Sequence, residues 1–271
     1  MENMSGVITL IPARMNSSRL PGKALLDIGG KSLIQRVYEN VLSAIDCDVV
    51  IASPDEGIIR ACDGFGARAV LTARGLPSGT DAIADALRKI DPNGRLYDRV
   101  VNFQGDSVNV NPRVTWPLID MVGRTGCDMA TCAALFDSEC DVTDPNNVKV
   151  VMGLKPDQTE GRALYFTRAA APYIRDPERR DINRDFYHHI GIYVFKTESL
   201  HRFVSLPEGV LEARERLEQL RMIENGMTIH AKLVARLKIT DGAPADVNTP
   251  EEYEMTKKSL IHIPRASRRG G

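Results

Sequence analysis

The chain has 271 residues, 35 basic against 36 acidic side chains, a formal net charge of −1 and 43% hydrophobic residues. That length carries enough apolar material for one large core or two modest ones. A charge so balanced provides no global field for nucleic acid or an anionic membrane surface, so any phosphate chemistry has to rest on a local cluster of bases.

Gly6-Val7-Ile8-Thr9-Leu10-Ile11-Pro12 predicts a buried parallel strand that ends at Pro12. After a loop rich in Arg, Ser, Pro and Gly, apolar Leu33, Ile34, Val37, Val41 and Ile45 recur at helical spacing. The strand Asp48-Val49-Val50-Ile51-Ala52 then completes a β-loop-α-β unit. The pattern repeats with a helix from about residue 56, a short strand at 69–71, a helix over 81–90 and a strand over 99–103. This alternation predicts a doubly wound α/β sheet, a mainly parallel sheet flanked by helices on both faces. Ligands of such sheets bind beyond the carboxyl ends of the strands, which puts the loops after Pro12 and from Gln104 on one rim.

From about 127 onward the strands become denser, at 127–135, 148–152, 163–166 and 189–195, with 155–158 as a hairpin connection. We read 127–200 as a smaller mixed-sheet subregion within a single domain spanning 1–260. The charged stretch 174–185 reads as a solvated loop, and 211–224 as one helix closed by Asn225-Gly226. A strand over 227–234 leads to a last helix opened by Thr249-Pro250-Glu251-Glu252, and 261–271 is expected to be a disordered tail.

No apolar run is long enough for a membrane span, and Met1-Glu2-Asn3-Met4 has no leader character, so a cytoplasmic protein without membrane insertion is expected. The five cysteines, Cys47, Cys62, Cys127, Cys132 and Cys140, contain no C-x-x-C pair and read as thiols, not disulfides or a zinc site.

The strongest chemical signal is Arg14, Ser17, Ser18, Arg19, Gly22 and Lys23, which crowd three cations and two hydroxyls onto the first loop. A polyphosphate needs converging donors from a backbone that can come close, and Arg forks with a Lys point charge provide them. The spacing is not that of a Walker A loop, and G-x-G-x-x-G is also missing there. Second is Gln104-Gly105-Asp106, a buried strand running into glycine and a carboxylate suited to Mg²⁺, with Asp246 and Asn248 as further oxygen donors near the end of the chain. Third are Ser78-Gly79-Thr80-Asp81, Arg168, His189, Tyr193 and Glu218-Gln219, whose hydroxyls, amides and cation suit a polyhydroxylated acid. Each of these also has a plainer use, as helix cap, surface ion pair, satisfied strand histidine or solvated helix face.

In order along about 7–254, these motifs resemble the 3-deoxy-manno-octulosonate cytidylyltransferases, or CMP-Kdo synthetases. The resemblance is carried by Ile11-Pro12-Ala13-Arg14, Ser17-Ser18-Arg19-Leu20-Pro21-Gly22-Lys23, Ser78-Gly79-Thr80-Asp81, Gln104-Gly105-Asp106 and Asn147-Val148-Lys149. Tyr165-Phe166-Thr167-Arg168, His189-Ile190-Gly191-Ile192-Tyr193, Leu217-Glu218-Gln219-Leu220-Arg221 and Asn248-Thr249-Pro250-Glu251 continue it. It implies a Rossmann-like nucleotidyltransferase fold and a homodimer that joins CTP to a 3-deoxy-2-ulosonic acid, releasing pyrophosphate, in lipopolysaccharide synthesis. It further implies that Arg14, Ser17, Ser18, Arg19, Lys23, Ser78, Gly79 and Gln104 bind CTP. Asp106 would hold a catalytic Mg²⁺, and Arg168, His189, Tyr193, Glu218 and Gln219 the sugar acid.

Three departures from the family pattern bear on substrate and metal. The usual Val-Asp-Thr-Pro-Glu reads Val247-Asn248-Thr249-Pro250-Glu251, with Asp246 as the candidate to replace the lost carboxylate. Ala82 stands where the family has a base, and the histidine before Ser-Gly is absent from Leu76-Pro77-Ser78. Ser107-Val108-Asn109 follows Asp106 in place of Glu-Pro-Leu. The alternatives are a cytidylyltransferase for a different acid, such as an 8-amino Kdo analogue or a nonulosonic acid, or a nucleotide-binding homologue with weak catalysis.

Overall fold

The computed structural model describes residues 6–136, 142–176, 178, 181–235, 237–240 and 243–261, with only the backbone at 182, 183 and 261. The first half follows the expected alternation: β1 (Val7–Pro12), α1 (Leu33–Ala44), β2 (Asp48–Ser53), α2 (Glu56–Gly64), β3 (Ala69–Leu71), α3 (Gly79–Ile90) and β4 (Arg99–Asn102). These strands pair in parallel in the order β3-β2-β1-β4. Alternate residues of β1 enter opposite cores. Val7 and Ile11 pack with Ile34, Val37 and Val41 of α1, whereas Ile8 and Leu10 pack with Ile83 and Leu87 of α3. With helices leaving to opposite faces, the carboxyl ends of β1 and β4 frame the switch point of the sheet.

The second half contains α4 (Trp116–Thr125), β5 (Met129–Leu135), β6 (Lys149–Gly153), β7 (Glu160–Thr167), α5 (Ile182–Asp185) and β8 (Tyr187–Lys196). It continues through α6 (Thr197–Ser205), α7 (Val210–Glu215), α8 (Leu220–Glu224), β9 (Ile229–Leu233) and α9 (Pro250–Ile261). Among the described residues nine strands form one sheet, β3-β2-β1-β4-β8-β5-β9-β7-β6. The mixed part is therefore continuous with the parallel part: β8 runs antiparallel to both β4 and β5. It also meets β6 at Lys149 and His188, so the last five strands curl back on themselves.

The helix expected over 211–224 is two helices. Arg216 closes α7 in the left-handed conformation (φ 54°, ψ 47°), and α8 starts only at Leu220. The break has a tertiary cause: the Glu215 carboxylate accepts from the Thr167 hydroxyl at 2.7 Å and the Arg168 amide at 2.9 Å, which anchors the end of α7 on β7. Helices α4 and α6 are additional to the elements read from periodicity. The stretch 174–185 ends in the short α5, while Cys140 and the tail from 262 lie outside the described residues. Cys47, Cys62, Cys127 and Cys132 are free thiols. Among the described residues no helix is long and apolar enough to cross a membrane.

Candidate active site

The loop after β1 is held in shape by its own backbone. The amides of Ser17 and Gly22 both donate to the Met15 carbonyl, at 3.1 and 2.9 Å, and the Met15 amide donates to Asp55 at 2.7 Å. Gly22, at φ 72°, takes the left-handed turn that a side chain would resist and opens a 3-10 turn at Lys23. The Lys23 ammonium is thereby delivered to the Asp106 carboxylate, the Val247 carbonyl (3.2 Å) and the Asn248 side-chain oxygen (3.1 Å). Gly105 is required by close approach, because a Cβ there would lie 2.5 Å from the Pro12 carbonyl oxygen. The ends of β1 and β4 are thus pressed together at the switch point.

A cleft of ≈ 560 Å³ opens at this rim. The first loop contributes Arg14, Ser17, Ser18, Arg19 and Lys23 to its wall; Ser78 and Gly79 come from the start of α3, Gln104 and Asp106 from the turn after β4, and Asn248 from the segment before α9. Arg74, Thr72 and Asp55 also line it and were not singled out from the sequence. Arg74 follows the carboxyl end of β3, so the strand-end rule applied to that short strand is the signal that points to it. Leu76 and Ala82, the departures from the family pattern, lie in the same wall. Ser78 also does the plainer work expected of it, capping α3 by accepting from the amides of Thr80 and Asp81 at 3.1 and 3.2 Å.

Below the cleft, Asp246 turns inward and accepts from the Ser107 hydroxyl at 2.6 Å, and it is Asn248, not Asp246, that reaches the cleft wall. Burial first, and the nearby Asp106 carboxylate second, push the Asp246 carboxyl up to about 6. Asp106, the Asn248 oxygen and the Val247 carbonyl surround one cationic group, the Lys23 ammonium. Such hard oxygen donors also suit a divalent cation of the Mg²⁺ type. Among the described residues no cluster of three or more His, Cys, Asp and Glu side chains forms a metal cage, so one carboxylate and neutral oxygens make up this donor set.

Of the residues expected to hold a sugar acid, His189, Tyr193 and Gln219 are buried and Glu218 half-buried, on β8 and just before α8. The His189 ring meets Phe166 edge-on at 4.8 Å and Tyr193 at 5.7 Å, and its Nε2 lies 3.1 Å from the Thr131 hydroxyl. Burial holds this imidazole down at about 3, so it is neutral near pH 7. Burial and then Glu218 raise the Tyr193 hydroxyl. Burial likewise raises Glu218, whose Oε1 accepts from the Thr80 hydroxyl at 2.6 Å. Its Oε2 and the Gln219 Nε2 are buried without a partner. The Arg168 guanidinium donates to the carbonyls of Glu215 (2.7 Å), Pro145 (2.8 Å) and Arg216 (3.3 Å). Thr131 and Phe166, which pack on His189, were not singled out from the sequence: Thr131 comes there through the β5–β8 pairing, and Phe166 through β7, which pairs with β6 where β6 meets β8.

A cytidylyltransferase family model matches residues 8–229. The 3-deoxy-manno-octulosonate cytidylyltransferase of Paramagnetospirillum magneticum is 43% identical over 93% of this chain and 97% of its own length. That of Rhodospirillum centenum is 42% identical over 93% of each. Among solved structures, a CMP:2-keto-3-deoxy-manno-octonic acid synthetase complexed with CTP superposes with a TM-score of 0.81 at 33% identity, covering 94% of this chain and 98% of that one. A glucose-1-phosphate thymidylyltransferase from Bacillus anthracis shares the fold, with a TM-score of 0.62 at 15% identity, covering 95% of this chain and 96% of its own.

Proposed function

This chain belongs to the 3-deoxy-manno-octulosonate cytidylyltransferase family, a family of nucleotidyltransferases, and we propose that it transfers CMP from CTP to the anomeric hydroxyl of Kdo or a close 3-deoxy-2-ulosonic acid, releasing pyrophosphate. The observation that carries this reading is the convergence of Lys23, Asp106 and Asn248 beneath a cleft whose wall holds Arg14 and Arg19. The CTP in the related solved structure supports the choice of nucleotide.

In this reading Arg14, Arg19 and Lys23 bind the triphosphate, with Ser17 and Ser18 adding hydroxyl donors. Ser78, Gly79 and Gln104 border the nucleoside and sugar. Attack of the anomeric oxygen on the α-phosphorus breaks the bond to the β-phosphate oxygen. Negative charge accumulates on the transferring phosphoryl and the leaving pyrophosphate, and preorganised cations lower its energy without a covalent enzyme intermediate. Asp106 and Asn248 are the residues that would hold Mg²⁺, with Asp246 behind them. The chemistry such an ion supplies is charge stabilisation on the leaving group and a lowered pKa of the attacking hydroxyl. His189, Tyr193, Glu218 and Gln219 orient the sugar acid, and the burial of His189, Tyr193 and Gln219 excludes water that would compete as nucleophile. Arg168 supports this pocket from behind through its bonds to the end of α7.

The enzyme acts as a homodimer in the cytoplasm on this account, which sedimentation and cell fractionation check. Pyrophosphate release from CTP, measured with Kdo, its 8-amino analogue and a nonulosonic acid, tests the reaction itself. Release with one of these acids is expected, and no release with any of them refutes it. Asn248, an amide where the family resemblance implies a carboxylate, favours one second reading, a homologue that binds nucleotide with weak turnover. Calorimetric CTP binding without pyrophosphate release would select it.

A further inference from the structure

Three side chains, two of them fully buried, link the nucleotide cleft to the group assigned to the sugar acid. Gln104, in the cleft wall, donates its Nε2 hydrogens to the Gly191 carbonyl at 3.1 Å and to Asn102 Oδ1 at 3.4 Å. Two acceptors on one amide nitrogen fix which way that amide faces. Asn102, the last residue of β4 and fully buried, has its oxygen engaged by Gln104 and therefore presents Nδ2 to the Thr80 hydroxyl oxygen at 3.3 Å. The Thr80 hydroxyl, also fully buried, accepts there and has one hydrogen left, which it gives to Glu218 Oε1 at 2.6 Å. All the donors run in one direction, from Gln104 to Glu218.

The far end of this chain is incomplete. Glu218 Oε2 and Gln219 Nε2 are buried with no partner, one an acceptor and the other a donor, adjacent in sequence. Buried polar atoms are costly to leave unpaired, and a polyhydroxylated acid satisfies both: a hydroxyl donates to Oε2, and a carboxylate or hydroxyl oxygen accepts from Nε2. The Ser78 hydroxyl lies near Glu218 but gives its hydrogen to Asp81 at 2.8 Å. We propose that Thr80, oriented by Asn102, is a positioning residue: it holds Glu218 by one oxygen so that the other faces the sugar acid, and it links that contact to the nucleotide-side Gln104. The proposal rests on the assignment of Glu218 and Gln219 to the sugar acid.

The test uses the full-length enzyme with CTP and Kdo. Thr80→Val keeps the volume and removes the hydroxyl; Thr80→Ser keeps the hydroxyl. The expected result is a KM for Kdo raised about 10-fold or more in Thr80→Val, a KM for CTP within about 2-fold of wild type, and recovery in Thr80→Ser. Thr80→Val with an unchanged KM for Kdo, or with both KM values raised alike alongside a lowered Tm, overturns it. Should Thr80→Val fail to fold, Asn102→Asp takes its place, because an acceptor there draws the Thr80 hydrogen away from Glu218; the same selective rise is expected, and its absence overturns the proposal. Glu218→Gln separates the two levels. If it leaves the KM for Kdo unchanged, the sugar-acid assignment fails and takes this proposal with it. If it raises that KM while folded Thr80→Val does not, the positioning role alone fails.

Discussion

The Lys23 ammonium is shared between the Asp106 carboxylate and the side-chain oxygen of Asn248, 225 positions away along the chain. One cation thus ties the first loop, the turn after β4 and the segment before α9 into a single site. Its side chain is 18% exposed and that of Asp106 21%, so both reach the cleft while remaining mostly enclosed.

Replacing Lys23 should separate activity from stability. A part-exposed ion pair contributes no more than about 1 kcal/mol to folding, whereas a charge aimed at a developing phosphoryl anion contributes about 100-fold or more in rate. Lys23→Ala is expected to lose pyrophosphate release by that factor while its Tm moves only a few degrees. A variant with near-normal turnover would remove Lys23 from the phosphate site.

Asn248→Asp introduces the carboxylate that the family resemblance implies at this position. A second charged oxygen beside Asp106 should tighten Mn²⁺ binding, read by electron paramagnetic resonance, by about 10-fold. Unchanged affinity with and without CTP would show that position 248 contributes no ligand.

The rim chemistry could be read in the sequence because it is contiguous: Arg14 to Lys23, and Gln104 to Asp106, each directly follow an apolar strand. The parallel half was equally visible, as Leu33, Val37 and Val41 mark a helix by spacing alone. The break at Arg216 was not, because it depends on Glu215 reaching Thr167, 48 residues away, while the local pattern remains helical. The inward turn of Asp246 likewise depends on Ser107, 139 residues distant. The three carbonyls that engage Arg168 were equally hidden, because nothing in its sequence neighbours announces them.

Gly105→Ala forces a methyl to within 2.5 Å of the Pro12 carbonyl oxygen, and backbone on both sides must move. Overpacking of this kind costs about 1–3 kcal/mol. The variant should melt lower and bind CTP more weakly by calorimetry, since the same shift displaces Asp106 from Lys23. Gly79→Ala, with its nearest contact at 3.3 Å to the Pro12 ring, should be milder. Equal effects would contradict this ranking.

The buried His189 makes folding sensitive to acid. Its imidazole titrates at about 3 in the folded chain, chiefly through burial, against about 6.5 when unfolded. Above 6.5 neither state is protonated and its contribution is complete; as pH falls toward 3, the unfolded chain takes a proton that the folded one refuses, and stability is lost. The slope approaches about 1.4 kcal/mol per pH unit. Urea unfolding of wild type and His189→Asn at pH 7 and pH 5 should show wild type losing about 2 kcal/mol more. Asp246, raised to about 6, shifts stability in the opposite direction but does so in both proteins. Equal losses would mean that His189 takes up its proton in the folded state.

The site as a whole is built for transfer of CMP to a sugar acid. Phosphorus NMR of the enzyme with CTP, Mg²⁺ and Kdo tests it most directly, because the product carries its α-phosphorus in a phosphodiester. A new phosphodiester resonance should grow in step with pyrophosphate, depend on the acid and be lost in Lys23→Ala. A CTP spectrum unchanged with Kdo, its 8-amino analogue and a nonulosonic acid alike, or CMP and pyrophosphate formed equally well without any acid, would contradict it.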